Sequence, residues 1–200
     1  MRYDEDHKKR TREKVLRAAA RTIRMDGPDR VGVAAIMAEA GLTHGGFYAH
    51  FESKDDLVAA AVAQMFAEAG ETYRRAVDGK PPGEGLRDYV RFYLSRSHRD
   101  GRASGCPLAA LASDAPRLPE AARRAFGAGV QTLSQAIAGL IEARGMADAE
   151  RTASALLSQM VGAVSLARSV ADPAQSDLIL KDARDDILGR MGLERPATAG

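Results

Sequence analysis

The stretch Gly41-Leu42-Thr43-His44-Gly45-Gly46-Phe47-Tyr48-Ala49-His50-Phe51-Glu52-Ser53-Lys54-Asp55-Asp56-Leu57 decides how the rest of the chain is read. Gly41 ends a short apolar helix spanning about Val33 to Ala40, and His44 to His50 has room for one or two helical turns. The result is helix, tight glycine turn, helix. Thr43 stands where an N-cap belongs, its hydroxyl placed to accept from an amide of the following turn. Gly45 and Gly46 are costly in so short a helix, each by up to ~1 kcal/mol relative to alanine, which suggests that a close approach to another surface requires them. Phe47 and Phe51 are four apart and can pack inward together, leaving Thr43, His44, Tyr48 and His50 to point outward with hydrogen-bonding groups. Ser53, followed by Asp55, Asp56 and the apolar Leu57, marks the start of a further helix running to about Val77.

Working outward, the helix before this stretch spans about Lys9 to Met25, with Leu16, Ala19, Ala20 and Ile23 on its apolar face and Gly27-Pro28 as its stop. On the opposite face Arg10, Lys14, Arg17, Arg21 and Arg24 recur at i, i+4, i+7, i+11 and i+14, a basic stripe. Net charge is only +2, but eight Lys or Arg face one acid, Glu13, between His7 and Arg24. Positive charge is therefore concentrated near the N-terminus, and the stripe taken alone suits a solvated helix face as well as an anion-binding one.

Asp78-Gly79-Lys80-Pro81-Pro82-Gly83 reads as a linker. Beyond it, three- and four-residue apolar spacings predict helices over about Glu84–Arg99, Cys106–Ser113, Pro119–Ala143, Asp148–Val170 and Gln175–Met191, then a disordered tail, 196–200. The fold class is all-α, with about nine helices. One cysteine, Cys106, excludes an intramolecular disulfide and suits a reducing cytosol. No signal peptide and no apolar run of about 18 residues is seen, so a cytoplasmic protein without a membrane span is expected. The four histidines lack metal-ligand spacing, and no nucleotide loop, nucleophile elbow or cofactor fingerprint occurs. An enzyme is therefore not expected, and neither is a metal or cofactor.

The pattern Tyr48-x-His50-Phe51-x-Ser53-Lys54-x-x-Leu57 resembles the signature of TetR/AcrR-family regulators at every fixed position. Gly27 and the Val33-x-x-Ile36 spacing are similar as well. The resemblance implies an N-terminal three-helix DNA-binding head over 1–52 and a helical ligand-binding and dimerisation domain over 53–195. It makes His44 to His50 the recognition helix, with Thr43, His44, Gly45, Tyr48 and His50 as contacts and Lys54 as a phosphate ligand. Gly32 departs from the pattern, because the family has Ser or Thr there. The implied function is a ligand-responsive repressor that binds a palindromic double-stranded operator as a homodimer. An activator of the same fold, or a helical protein-interaction adaptor, is the alternative.

Two helices, one bearing Ala153, Leu156, Leu157, Met160, Val161, Val164, Ala167 and Val170 and the other Ile179, Ala183, Ile187 and Met191, are the expected dimer pair. Phe66, Tyr89, Phe92 and Tyr93, with Met65, Tyr73, Leu108 and Leu133, are candidate ligand contacts that equally suit a core. Cys106 begins a helix, where amides and the dipole favour a thiolate, and Arg99 and Arg102 are near in sequence. It is a candidate sensor of electrophiles or oxidants, or else an inert buried thiol.

Overall fold

A computed structural model describes residues 2–30 and 32–194, so the tail proposed for 196–200 lies outside the described residues. The described residues form nine α-helices and four short 3-10 segments, with no strand among them. The helices are α1 (Arg2–Asp26), α2 (Val33–Glu39), α3 (Lys54–Val77), α4 (Pro82–Tyr93), α5 (Arg96–Asp100), α6 (Pro107–Leu111), α7 (Glu120–Glu142), α8 (Ala149–Ser169) and α9 (Pro173–Arg190). They make up two compact units, residues 1–69 with 102–129 and residues 70–101 with 130–200. Helices α3 and α7 contribute residues to both, so the units do not follow chain order as a division after residue 52 would.

In the first unit α1 buries Val15, Leu16, Ala19, Ala20 and Ile23 against Ile36 and Met37 of α2 and Leu57, Ala61, Val62 and Met65 of α3. These positions recur at helical spacing, and the burial of their apolar surface is what holds the short α2 in place. Gly27 ends α1 with φ +87. In the second unit Tyr73, Leu86, Tyr89, Val90 and Tyr93 are buried, as are Ile137, Ile141, Leu156 and Met160. Helices α8 and α9 pack along one another.

Three expectations change. Helix α1 begins at Arg2 rather than Lys9. The helix predicted over Glu84–Arg99 is two, because the Ser95 hydroxyl donates to Phe92 O (2.7 Å) and accepts from His98 N (3.1 Å), which satisfies the end of α4 and the start of α5. Arg24 does not belong to a solvated stripe: it is 6% exposed and pairs with Glu68 on α3 at 2.6 Å.

Candidate nucleic-acid interface

Helix α2 closes with Gly41 in the left-handed region at φ +75, where Leu42 N donates to Met37 O at 2.8 Å. That geometry turns the chain sharply into His44–Ala49, which is a 3-10 helix rather than an α-helix. Thr43 sits at its N-cap with extended backbone, but the hydroxyl makes no cap bond; the turn is held instead by Gly46 N donating to Thr43 O at 3.1 Å. The Thr43 side chain is exposed and not engaged in capping.

Phe47 and Phe51 are each 2% exposed and stack at 5.6 Å between centroids, as their spacing predicts. They anchor the segment in the core. Thr43, His44, Gly45 and Tyr48 are exposed, Tyr48 by 72% while its ring meets Phe47 edge-on at 5.2 Å. A Cβ on Gly45 would meet nothing within 4 Å, so internal packing gives no reason for glycine there. Gly46 differs, since its Cβ would touch Met37 Cε at 3.7 Å.

Ser53 Oγ accepts from Asp56 N at 3.1 Å while the Asp56 carboxylate accepts from Glu52 N at 3.2 Å. This reciprocal cap starts α3 and sets Lys54, exposed, as its first residue. Gly32 caps α2 without a side-chain bond, as its identity requires.

Arg10, Lys14, Arg17 and Arg21 of α1 are exposed. Among the described residues none of them, nor Lys54, pairs with a carboxylate. His50 is half-buried, and burial, then the charges of Lys8, Arg12 and His7, lower its pKa below 6.5. Arg12 lies over the Phe51 ring at 4.8 Å. Sequence reading overlooked Lys8 and Arg12 as neighbours of this segment; their four-residue spacing on α1 was the available signal.

The candidate ligand residues do not form one group. Tyr89 and Tyr93 are buried in the second unit, where Tyr89 meets Tyr73 at 4.9 Å and Tyr93 at 5.9 Å, and the Tyr73 hydroxyl donates to Ala136 O at 2.7 Å. Phe92 is 39% exposed and borders the ring of His98. His98 is buried, with Nδ1 at 2.7 Å from Tyr93 O. Phe66 belongs to the first unit and packs edge-on against Phe126 at 5.5 Å; a Cβ on Gly129 would fall 2.1 Å from its ring, so the bare backbone of α7 accommodates it. Met65, Tyr73, Leu108 and Leu133 are buried.

Cys106 is buried and occupies the N-cap of α6, as its place in the sequence implies. The arginines expected to assist it are engaged elsewhere. Arg99 binds Asp100, Ser176 and Asp177, and Arg102 donates to Met25 O. Pro107 at the first helical position also removes one amide that would have faced a thiolate.

Comparison with known proteins adds an independent line. The profile for bacterial regulatory proteins of the tetR family matches residues 15–61, and that for the C-terminal domain of LmrA/YxaF-like transcriptional regulators matches residues 82–180. A TetR transcriptional regulator from Chloroflexus aurantiacus J-10-fl is 26% identical, with TM-score 0.79 over 94% of this chain and 96% of that one. A TetR-family transcriptional regulator from Agrobacterium tumefaciens is also 26% identical, with TM-score 0.75 over 90% and 98%. The reduced form of Escherichia coli NemR, 20% identical, shares the fold, with TM-score 0.78 over 90% and 96%. No curated protein sequence matches the chain.

Proposed function

The chain belongs to the TetR family of bacterial regulatory proteins, DNA-binding regulators rather than enzymes, and from that premise we propose that it is a ligand-responsive repressor acting on a palindromic operator as a homodimer. The observation that carries the reading is the split of one short segment into a buried and an exposed set. Phe47 and Phe51 hold it in the core, while Thr43, His44, Gly45 and Tyr48 are presented to solvent. Tyr48 and His44 supply hydrogen-bonding groups for base edges in the major groove, and Lys54 and the row Arg10, Lys14, Arg17 and Arg21 supply cations for phosphates. The bare face of Gly45 lets the backbone come close to the duplex. His50 completes the set beside Lys8 and Arg12.

Dimerisation is assigned to α8 and α9 by their outward residues. Leu156, Leu157, Met160, Val164, Ala167, Ile187 and Met191 are already buried within the chain. The available apolar surface of the pair includes Leu166, 60% exposed, and Leu178, 53% exposed, with the half-buried Val161 and Ile179, and a Cβ on Gly162 would meet nothing within 4 Å, which leaves room for a partner helix. Two-fold symmetry then sets two recognition segments on two half-sites. The effector is a small molecule held by the unit containing Tyr89, Phe92 and Tyr93, and it favours the conformation that does not bind DNA. Its effect travels along α3, whose Glu68 is bonded to Arg24 of α1. The regulator works in the bacterial cytoplasm.

The test is fluorescence anisotropy on duplex DNA from the flanks of the protein's own gene across a salt series. Affinity that falls steeply with salt and prefers one palindromic site agrees with the proposal. Salt-insensitive binding, or none, refutes it. Alkylating Cys106 in the same assay separates a small-molecule effector from thiol modification, since a fully modified protein that still binds DNA removes the thiol route.

A further inference from the structure

We propose that the groove between the α4–α5 turn and the N-terminal half of α9 is a binding site for a small organic anion with an apolar body. The groove lies wholly within the second unit and is open to solvent, offering about 620 Å³ along the wall. It includes none of Phe66, Tyr89, Phe92, Tyr93 or Cys106, and the inference does not depend on DNA binding.

Its apolar part is Leu94 and Leu180, both buried, and Leu178, which leaves 53% of its surface in water. Its charged part is Arg96, Lys181 and Arg184 against one carboxylate, Asp177. That carboxylate is shared: Arg96 reaches it at 2.5 Å and Arg99 at 2.8 Å. Lys181 and Arg184 in turn share Asp185, at 3.0 and 3.3 Å, and Arg184 does so through Nε, which keeps its terminal nitrogens out of that pair. Counting Asp100, which also binds Arg99, the wall and its partners hold four cations against three carboxylates. One positive charge is in excess, and it matches a monoanion.

The two serines of the groove do not grip the ligand. Ser95 is engaged with Phe92 O and His98 N, and Ser97 with Ser95, so they hold the wall in shape. Recognition therefore falls to Lys181 and Arg184 for the anionic head and to the exposed Leu178 for the body, with Leu94 and Leu180 buried behind it. A carboxylate or sulfonate on an aromatic or alkyl body meets both requirements.

The probe is 8-anilinonaphthalene-1-sulfonate, titrated by fluorescence into the full chain, with neutral N-phenyl-1-naphthylamine as its uncharged counterpart. The double variant Lys181→Ala/Arg184→Ala should weaken the sulfonate tenfold or more and the neutral dye no more than twofold. Leu178→Gln should weaken both threefold or more. Octanoate should displace the sulfonate, and inorganic sulfate at the same ionic strength should not. Lys181 and Leu178 are exposed, and circular dichroism melting checks that each variant folds. The proposal is overturned by absent or unaltered sulfonate binding, by equal loss of the neutral dye in the double variant, or by displacement with sulfate alone. It is also overturned if the variants change dimer mass while dye affinity stays constant, because a second copy then covers the groove.

Discussion

The recognition head and the α8–α9 pair carry cations in opposite ways. Arg10, Lys14, Arg17, Arg21 and Lys54 stand exposed and form no ion pair among the described residues, whereas Lys181, Arg184 and Arg190 of α9 each meet an aspartate on the same helix. A net charge of +2 averages over this contrast and conceals it. Cations paired within the fold contribute less to the long-range field, and Lys181 with Arg184, sharing one Asp185, keeps a single excess charge, while the unpaired row of the first unit sets where a polyanion docks. Arg24 is the exception within the head. It falls in register with the exposed row yet is buried against Glu68, so it serves the fold.

The largest effect should come from breaking that exception. Arg24→Ala breaks the ion pair with Glu68 and removes a buried side chain, with an expected cost of about 3 kcal/mol by urea unfolding, against less than about 0.5 kcal/mol for Arg21→Ala. Equal costs would mean that the two arginines are equivalent. Next in size, Arg17→Glu with Lys54→Glu should reduce affinity for DNA about a hundredfold and flatten its salt dependence, while Arg190→Glu leaves both within about twofold. Anisotropy titrations at two salt concentrations decide this. If Arg190→Glu matched the double variant, the contrast between the two regions would fall.

Ser53→Ala removes the hydroxyl that receives Asp56 N and should cost about 1 kcal/mol in thermal or urea melts. A smaller consequence concerns pH. His98, chiefly through burial, and His50 both have pKa values lowered from 6.5, so folding favours their neutral forms. Their stabilising contribution is complete above pH 6.5 and is lost as pH falls through the lowered values. The melting temperature should therefore decline below pH 6.5, and His98→Gln should make the decline shallower; an unchanged slope would count against buried His98 as its source. Smallest in stability is Gly45→Ala. Because its Cβ would face open space, it should change the melt by no more than about 1 kcal/mol, and toward stability, while weakening DNA binding.

Most of the recognition segment was legible because its determinants are local. A glycine at φ +75, two phenylalanines four apart and a serine three before an aspartate act on neighbours in the chain, so their identity and spacing suffice. Helix ends at Val77, Glu142 and Ser169 also lie within one residue of where the periodicity and stop signals put them. The break at Ser95 was missed, since nothing in composition tells whether a serine in an apolar-periodic run will cap or face water. The Thr43 hydroxyl was misjudged for the same reason.

The sequence by itself determined the all-helical class, the sharp turn at Gly41 and the polar face of residues 43–50, because periodicity, glycine conformation and local capping are properties of adjacent residues. It also contained the family signature. Only the tertiary structure decided which members of a periodic row are used where. Arg24 is buried and Arg21 is not, Phe66 lies on the bare backbone of Gly129 and Tyr89 in a cluster of tyrosines, and Leu178 opens a groove while Leu180, two residues on, is buried. Helical spacing defines a face only relative to its own axis, and the burial of that face depends on partners distant in the chain.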